Sequence, residues 1–227
     1  NTFDISKMLD TIDQELWSKT IPNESVSPSL LNTCDSFYRK KTYERVALFL
    51  DRFEVIDKED RINGVTISST KDLLDSLDWD NICGLPHLSK YHGDFHNENI
   101  IIDKTGKFTL IDWRQNFGKG NLDIGDAYYD LAKYYHGLIV SHGIIHDNLF
   151  SVHTNENGVF IDIHRKQSLI ETENVFVKWM NANGYDVKKV RILTALIFLN
   201  VAGLHEYTYS LFLYYLGKHL LNMWSNE

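Results

Sequence analysis

The chain has 227 residues, of which 24% are charged and 43% hydrophobic, and its formal net charge is −8. These values are typical of a globular protein, and the acidic balance argues against nonspecific nucleic-acid binding. Cys34 and Cys83 form no CxxC pair, which favours buried thiols in a reducing cytoplasm. No signal peptide is evident, and the longest apolar run, 192–204, is too short to span a bilayer.

Residues 1–90 are predicted to form a helical approach segment. Apolar side chains recur at three- and four-residue spacing, which predicts helices over 5–19 and 37–53. Between them, Ile-Pro-Asn at 21–23 breaks the first helix, and Ser-Pro at 27–28 restarts helical structure with proline at the first helical position.

Helix caps and turn signals locate further elements. Three residues are predicted to cap helices: Asp4, Ser69 before a short helix over 72–77, and Asp126 before a helix over 127–139. Asn63-Gly64 marks a turn beside a short extended piece at 65–67. A glycine-rich loop, with glycines at 118, 120 and 125, precedes the Asp126 cap.

Two β-hairpins are predicted, one pairing 100–102 with 108–111 and the other pairing 149–153 with 159–164. Three helices complete the chain, over 168–182, 187–205 and 207–224. The fold class expected from this layout is α+β and predominantly helical. We expect a single lobe over 1–227, with a catalytic core at 91–140 and the second hairpin and C-terminal helices at 141–227.

The stretch from Tyr91 to Arg114 concentrates polar residues around the first hairpin. The hairpin register places Asn99 opposite Ile111 or Asp112, with cross-strand Cβ atoms roughly 5 Å apart. An amide oxygen and a carboxylate are ligands that suit Mg²⁺ holding substrate phosphates. Asp94, five residues before Asn99, is placed to accept the proton of an attacking hydroxyl.

The spacing His-x-Asp-x-x-x-x-Asn, followed by a hairpin and an Asp, is the catalytic-loop pattern of kinases. Here it comprises His92, Asp94, Asn99 and Asp112. His-Gly-Asp replaces His-Arg-Asp, and Ile-Asp-Trp-Arg replaces Asp-Phe-Gly, which points away from protein kinases.

Three segments resemble the aminoglycoside phosphotransferase and choline kinase superfamily: HGDFHNENI at 92–100, LIDW at 110–113 and GDAYYDLA at 125–132. A set of residues before them is similar to choline-kinase-like domains of bacterial capsule and surface-polysaccharide biosynthesis proteins: Phe37, Tyr38, Lys41, Thr42 and Arg45. The resemblance implies a protein-kinase-like C-terminal lobe. It also implies ATP-dependent phosphorylation of a small-molecule hydroxyl on an aminoglycoside, a choline- or ethanolamine-like compound or a sugar.

The resemblance implies roles for individual residues. Asp94 is the expected catalytic base, His92 supports its loop, and Asp130 matches the helix aspartate that braces the loop. Asn99 and Asp112 are the expected ligands of Mg²⁺ and, through it, of the nucleotide. Further candidates for supporting or substrate-binding roles are His96, Glu98, Arg114 and Asp126, and Trp113 is expected to pack under the site.

Arg114 stands where choline kinases tend to carry an acid. A cation there disfavours choline and suits a sugar hydroxyl, a phosphorylated acceptor or the nucleotide's own phosphates. The expected partners are therefore a nucleotide and a small hydroxyl compound, without nucleic acid or a membrane span.

No nucleotide-covering loop and no Val-Ala-x-Lys strand is evident before Asp94. The chain therefore looks like a C-terminal lobe that needs an upstream nucleotide-binding lobe, and its first residue, Asn1, fits a fragment or a processed chain. A catalytically incomplete lobe that acts as a scaffold is one alternative. Another is a metal hydrolase that uses His92, Asp94 and His96. Three polar residues that alternate on the second hairpin are a further candidate for a substrate or metal group, with a solvated hairpin face as the alternative: His153, Asp162 and His164.

Overall fold

The computed structural model describes residues 4–18, 28–114, 117 and 124–227. Within these residues the helices are α1 Ile5–Ile12, α2 Pro28–Asp35, α3 Lys41–Phe53, α4 Thr70–Asp75, α5 Trp79–Gly84, α6 Ala127–Ile139, α7 His142–His146, α8 Gln167–Ala182, α9 Val187–Ala202 and α10 Tyr207–Ser225. The strands are β1 Asp60–Ile62, β2 Val65–Ile67, β3 Leu88–Ser89, β4 Ile100–Ile102, β5 Phe108–Leu110, β6 Gly125–Asp126, β7 Phe150–Asn155 and β8 Gly158–Ile163. The fold is α+β and predominantly helical, as predicted.

The first predicted helix is confirmed as α1 followed by a π-helical turn, Asp13–Trp17. Asp4 caps it by accepting a hydrogen bond from the Lys7 backbone N–H at 3.2 Å. The face predicted from the apolar spacing is buried and consists of Met8, Leu9, Ile12 and Trp17. This burial carries the Trp17 indole into the interior, where it reaches α6.

The helix predicted over 37–53 begins earlier than expected. Helix α2 starts at Pro28 and continues through a π-helical turn, Ser36–Lys40, into α3, because Asp35 and Lys40 keep right-handed helical backbone angles. One buried face runs along this continuous helix and includes Cys34, Tyr38, Val46 and Phe49. The predicted break at 21–23 and the cap at position 27 lie outside the described residues.

The approach segment is not entirely helical, which corrects the prediction for residues 1–90. β1 and β2 form an antiparallel hairpin across Asn63 and Gly64, whose φ angles of 48° and 84° suit a tight two-residue turn. β1 also pairs in parallel with β8, so that the four strands have the order β2-β1-β8-β7. The second predicted hairpin is therefore half of a mixed sheet. The Asn63 amide fastens the pairing by donating to and accepting from the Ile161 backbone, each at 2.9 Å.

Helix α9 lies at the centre of the helical part and packs against α10, α6 and α3. It contains most of the apolar run that was predicted to be a buried core helix, and 11 of its 16 residues are buried. No helix in the described part of the chain is long and apolar enough to cross a membrane. The mixed sheet packs on α10, and α6 packs between α9 and the turn before β4, so α6 connects the core to the polar stretch at 91–114.

The remaining boundaries follow the predictions closely. Ser69 and Asp126 cap α4 and α6 as expected, although α4 begins two residues before the predicted start. The glycine-rich loop is described only at Gly125, in β6, because positions 118 and 120 lie outside the described residues.

Candidate active site

The first hairpin has the predicted register. Ile100 pairs with Leu110, and the Asn99 carbonyl accepts a hydrogen bond from the Ile111 backbone N–H at 3.0 Å. Of the two expected alternatives, Asn99 therefore lies opposite Ile111, and Asp112 follows at the open end. The buried Asn99 side chain donates from Nδ2 to the Asp94 carbonyl at 2.8 Å. This bond ties the candidate base and the candidate metal ligand into one loop.

Asp130, on α6, hydrogen-bonds the backbone of the loop that carries Asp94, as the resemblance implied. Its carboxylate is fully buried on α6 and accepts hydrogen bonds from the backbone N–H groups of His92 and Gly93, both at 2.6 Å. The Trp17 indole donates a third bond at 3.0 Å. Complete burial raises the pKa of Asp130 to about 6, although these three donors favour the ionised form. Gly93 has a φ of 84°, and a Cβ at this position would overlap the Arg114 side chain.

His92 is a supporting residue in this geometry. Its side chain is fully buried, its Nδ1 accepts from the Asp94 backbone N–H at 3.2 Å, and its Nε2 lies 2.8 Å from the Ile111 carbonyl. These partners require the neutral ring with the proton on Nε2. Burial also lowers the pKa of His92. Both ring nitrogens thus hydrogen-bond to the backbone, Nδ1 to the loop before the hairpin and Nε2 to the segment after it.

The Asp94 carboxylate contacts two cationic side chains. Lys133 Nζ lies 2.7 Å from Oδ1, and His96 Nε2 lies 3.5 Å from Oδ2. Burial raises the pKa of Asp94, but the hydrogen bond to His96 and the charge of Lys133 outweigh it and hold the pKa well below its usual range. Asp94 is therefore ionised at neutral pH. Its side chain stays 35% exposed, so a substrate hydroxyl can reach it.

His96 bridges two carboxylates. Its Nδ1 lies 2.8 Å from Glu98 Oε2, and the hydrogen bonds to Asp94 and Glu98 raise the pKa of His96 to about 9. The same bond, against the opposing effect of burial, lowers the pKa of Glu98 to about 2. Glu98 also accepts from the His142 backbone N–H at 3.2 Å and so fixes the loop to the start of α7. In the imidazolium form, the 3.2 Å approach of Asn99 Nδ2 to His96 Nε2 is a packing contact, because both groups are donors.

This ion cluster predicts a pH-dependent stability. The folded pKa of His96, about 9, lies above its ordinary 6.5, so its contribution is complete below pH 6.5 and is lost as the pH rises to about 9. We expect wild type to lose on the order of 1–2 kcal/mol relative to His96→Asn across this range, after allowing for solvent screening of the partly exposed carboxylates. Urea unfolding of both proteins at pH 6.5 and pH 9 measures the difference.

Both proteins contain the other groups that titrate between pH 6.5 and pH 9, so the contributions of those groups to the free energy of unfolding cancel in the comparison. One such group is Lys41, whose pKa is lowered to about 8 by burial and neighbouring cations. A difference between wild type and His96→Asn that stays constant from pH 6.5 to pH 9 would show that His96 is not charged by its carboxylate neighbours.

The segment after β5 turns back toward the loop. Asp112 has a φ of 56°, a left-handed conformation that is uncommon outside glycine, and its side chain is exposed. Arg114 then returns to the loop, where its backbone N–H donates to the His92 carbonyl at 2.9 Å. Trp113 was expected to pack under the site but is 46% exposed, with its ring 4.7 Å from the His92 ring. The left-handed turn directs this side chain outward, so it covers His92 from the solvent side.

Asp126 is structural in this arrangement. It is fully buried and caps α6 by accepting from the Tyr128 backbone N–H at 3.1 Å. It also accepts from the Tyr38 hydroxyl and the His87 backbone N–H, both at 2.9 Å. These bonds join α6 to the long α2–α3 helix and to the chain before β3. Its carboxylate oxygens are thus engaged in bonds that hold these elements together.

Sequence reasoning missed two residues of the site, Lys133 and Trp17. Lys133 lies three residues after Asp130 on α6, and this spacing is the signal that could have placed both on one helix face. Trp17 donates to Asp130 from 113 positions away in sequence, and its local pattern indicated only a buried helix face.

The candidate ligands fit Mg²⁺ better than zinc. The Asn99 amide donates through Nδ2 and leaves Oδ1 as its acceptor end, and Asp112 supplies an exposed carboxylate. Mg²⁺ is usually held by one or two such oxygens together with substrate phosphates and water. Among the described residues, no three His, Cys, Asp or Glu side chains are grouped to hold a metal. Both His92 nitrogens are occupied as well, which opposes the zinc hydrolase alternative, and the three polar residues proposed on the second hairpin are exposed: His153, Asp162 and His164.

A loop aspartate, an asparagine bonded to that loop and an aspartate after the hairpin match the arrangement of the catalytic loop in kinase-like phosphotransferases. A model of the phosphotransferase enzyme family, APH, matches residues 40–154. The chain belongs to this family, within the aminoglycoside phosphotransferase and choline kinase superfamily. Searches of curated proteins and of solved structures each found no match.

Proposed function

We propose that this protein transfers the γ-phosphoryl group of ATP to a hydroxyl of a small molecule, with Asp94 as the catalytic base. The observation that carries the proposal is the bond between the Asn99 amide and the Asp94 carbonyl at 2.8 Å. This bond ties the candidate metal ligand Asn99 to the loop that carries the ionised Asp94 carboxylate, and Asp130 accepts hydrogen bonds from the backbone of the same loop. Family membership supports the same reaction class.

The reaction divides among the residues of the loop. The acceptor oxygen forms a bond to the γ-phosphorus, the bond from that phosphorus to the bridging oxygen of ADP breaks, and the hydroxyl proton passes to Asp94. Asn99 and Asp112 would hold Mg²⁺, whose chemistry is to neutralise phosphate charge. His96 and Lys133 keep Asp94 ionised before the transfer, because His96 hydrogen-bonds its carboxylate and the Lys133 ammonium lies 2.7 Å away. His92 keeps the loop in register through its two backbone contacts.

Several wider expectations belong to this proposal. One kinase-like lobe over 1–227 is supported by a contiguous hydrophobic cluster that includes residues from α1 to α10. A cytoplasmic location, an upstream nucleotide-binding lobe and the likeness to capsule-biosynthesis domains stay predictions. A scaffold function is disfavoured by the intact arrangement of Asp94, Asn99 and Lys133.

The test is the Mg²⁺ dependence of ADP release with a panel of hydroxyl acceptors. Asp112→Asn is expected to raise the Mg²⁺ concentration for half-maximal activity and to lower the maximal rate by about 10²-fold or more, since a catalytic metal contributes several kcal/mol. Asp103→Asn, at the exposed tip of the same hairpin, is the matched control and should retain wild-type Mg²⁺ dependence.

Wild-type Mg²⁺ dependence in Asp112→Asn would remove Asp112 from the metal site. ADP release that requires a longer protein with added residues before this chain would support an upstream nucleotide-binding lobe.

A further inference from the structure

A second feature of the structure concerns the acceptor. A cavity of about 200 Å³ lies among α3, α6 and α9, beside the returning segment that carries Arg114. Its lining includes four cationic side chains, which we call the cationic cluster: Lys41, Arg45, Arg114 and Lys133. The chain as a whole carries a net charge of −8, so its overall composition does not account for four cations around one small cavity.

Three members of the cationic cluster have no counter-ion within the part of the chain that the structure describes. Within the described ranges, no carboxylate lies at salt-bridge distance from Lys41, Arg45 or Arg114, whereas Lys133 pairs with Asp94. The cations are held by aromatic faces instead: Lys41 Nζ lies 4.5 Å from the centre of the Phe37 ring, and Arg114 Cζ lies 5.8 Å from the same ring. The Phe37 ring thus positions Lys41 and Arg114 by packing, while no carboxylate of the described residues neutralises them.

The pKa of Lys41 reflects the concentration of positive charge around the cavity. Burial lowers the pKa of Lys41 to about 8, and the charges of Arg114, Arg45 and Lys133 lower it in the same direction. An anion in the cavity would relieve the repulsion among these groups and restore the charged form of Lys41.

Another part of the cavity lining offers a different kind of contact. It contains aliphatic side chains of α9 together with Asn200. The Asn200 amide is oriented by donating from Nδ2 to Thr42 Oγ1 and the Leu196 carbonyl, at 2.8 and 2.7 Å. Its Oδ1 is buried and has no hydrogen-bond partner among the described residues. A ligand hydroxyl could supply that missing donor.

The cavity adjoins the catalytic carboxylate through Lys133, which lines the cavity and also lies 2.7 Å from Asp94 Oδ1. We propose that the cavity binds the anionic group of the phosphoryl acceptor, and that the acceptor is a small phosphate monoester with a free hydroxyl. This inference rests on the proposed function for the identity of the ligand as an acceptor. It excludes choline-like and aminoglycoside acceptors, because their cations would face the cluster.

Charge and size select this ligand class. A phosphate monoester carries a charge of about −1.5 to −2 at neutral pH and matches the planar donors of Arg45 and Arg114, whereas a single carboxylate would leave two cations unneutralised. The cavity is smaller than the roughly 300–1,000 Å³ of pockets for drug-sized ligands, which suits a small monoester better than a nucleotide.

Binding of inorganic phosphate, measured by calorimetry without nucleotide, tests the anion site. Wild type is expected to bind it, and Arg45→Gln and Lys41→Gln should each raise the Kd by about tenfold or more, because each removes a charged hydrogen-bond donor. Arg39→Gln is the matched control, since Arg39 lies on the same long helix but faces Asp35 and Trp79 outside the cavity. Failure of wild type to bind phosphate at millimolar concentration, or equal affinity in all variants, would overturn the inference.

ADP release then tests the acceptor with paired compounds: glycerol 3-phosphate against glycerol, glucose 6-phosphate against glucose, and choline as a cation. The expected result is release with a phosphate monoester, absent in Asp94→Asn, with a KM raised about tenfold in Arg45→Gln. Asp94-dependent release with a neutral or cationic acceptor, unaffected by Arg45→Gln, would overturn this inference and leave the proposed function standing. Phosphate binding that depends on Arg45, without Asp94-dependent release for any acceptor in this chain or in a longer protein that contains it, would contradict the proposed function while supporting the anion site.

Discussion

Replacing Asp94 with Asn is expected to lower the rate of phosphoryl transfer by about 10²–10⁴-fold, the usual contribution of a positioned general base. The amide keeps the size of the side chain but cannot accept the proton of the acceptor hydroxyl. It also loses the ion pair with Lys133, which holds the carboxylate in its present orientation. Steady-state ADP release at saturating ATP and acceptor measures the effect as a decrease in kcat.

The control for Asp94→Asn is a measurement of whether the variant keeps the wild-type fold. The variant is expected to retain the wild-type circular dichroism spectrum and to bind ATP with similar affinity, since the ion-pair partners of the Asp94 side chain are His96 and Lys133, neither of which is an expected metal ligand. A kcat within a few-fold of wild type would contradict the role of Asp94 as base.

Replacing Asp130 with Ala is expected to destabilise the protein most among single substitutions at the site. The change leaves three buried donors without an acceptor: the backbone N–H groups of His92 and Gly93 and the Trp17 indole. Each unsatisfied buried donor costs about 1–3 kcal/mol, so we expect a loss of at least about 3 kcal/mol in the free energy of unfolding. Urea unfolding at neutral pH measures it, and kcat should fall as well because the loop loses its brace.

The Trp17→Phe variant separates the contribution of the hydrogen bond to Asp130 from that of packing. It removes one of the three donors and keeps an aromatic ring, so the expected loss is about 1 kcal/mol from the hydrogen bond together with a smaller packing cost. A free energy of unfolding for Asp130→Ala within about 0.5 kcal/mol of wild type, the usual range for surface substitutions, would show that the brace is dispensable.

The hairpin and its polar residues could be predicted because local rules determine them. The short connection at 103–106 sets the register, and the alternation of strand residues then places Asn99 near the start of the returning segment. The caps at Asp4, Ser69 and Asp126 are equally local, since each side chain bonds to a backbone N–H two or three residues later.

The features that sequence reasoning missed are nonlocal or depend on burial. The parallel pairing of β1 with β8 joins distant segments through Ile62 and Val159, and neither short strand indicates its partner. Lys133 was overlooked because a lysine on a helix is usually solvated, whereas here its side chain is only 16% exposed and pairs with Asp94. The outward direction of Trp113 follows from the left-handed backbone of Asp112, which side-chain patterns do not report.

The π-helical turn also explains why sequence reasoning missed the continuity of the helix from Pro28 to Phe53. This turn, Ser36–Lys40, shifts the spacing of buried residues, so Phe37 and Tyr38 read as the start of a new helix. The same turn brings Lys41 and Arg45 toward the cavity lining. The cationic cluster could therefore not be seen from helical periodicity alone.

The most direct measurement traces the γ-phosphoryl group of labelled ATP into an acceptor by mass spectrometry, with Mg²⁺ present, for wild type and Asp94→Asn. The proposed reaction predicts a labelled phosphorylated acceptor and an equal amount of ADP with wild type, and neither above background with Asp94→Asn. Labelled acceptor formed equally by both proteins, or ATP consumed with release of inorganic phosphate and no labelled acceptor, would contradict phosphoryl transfer through Asp94.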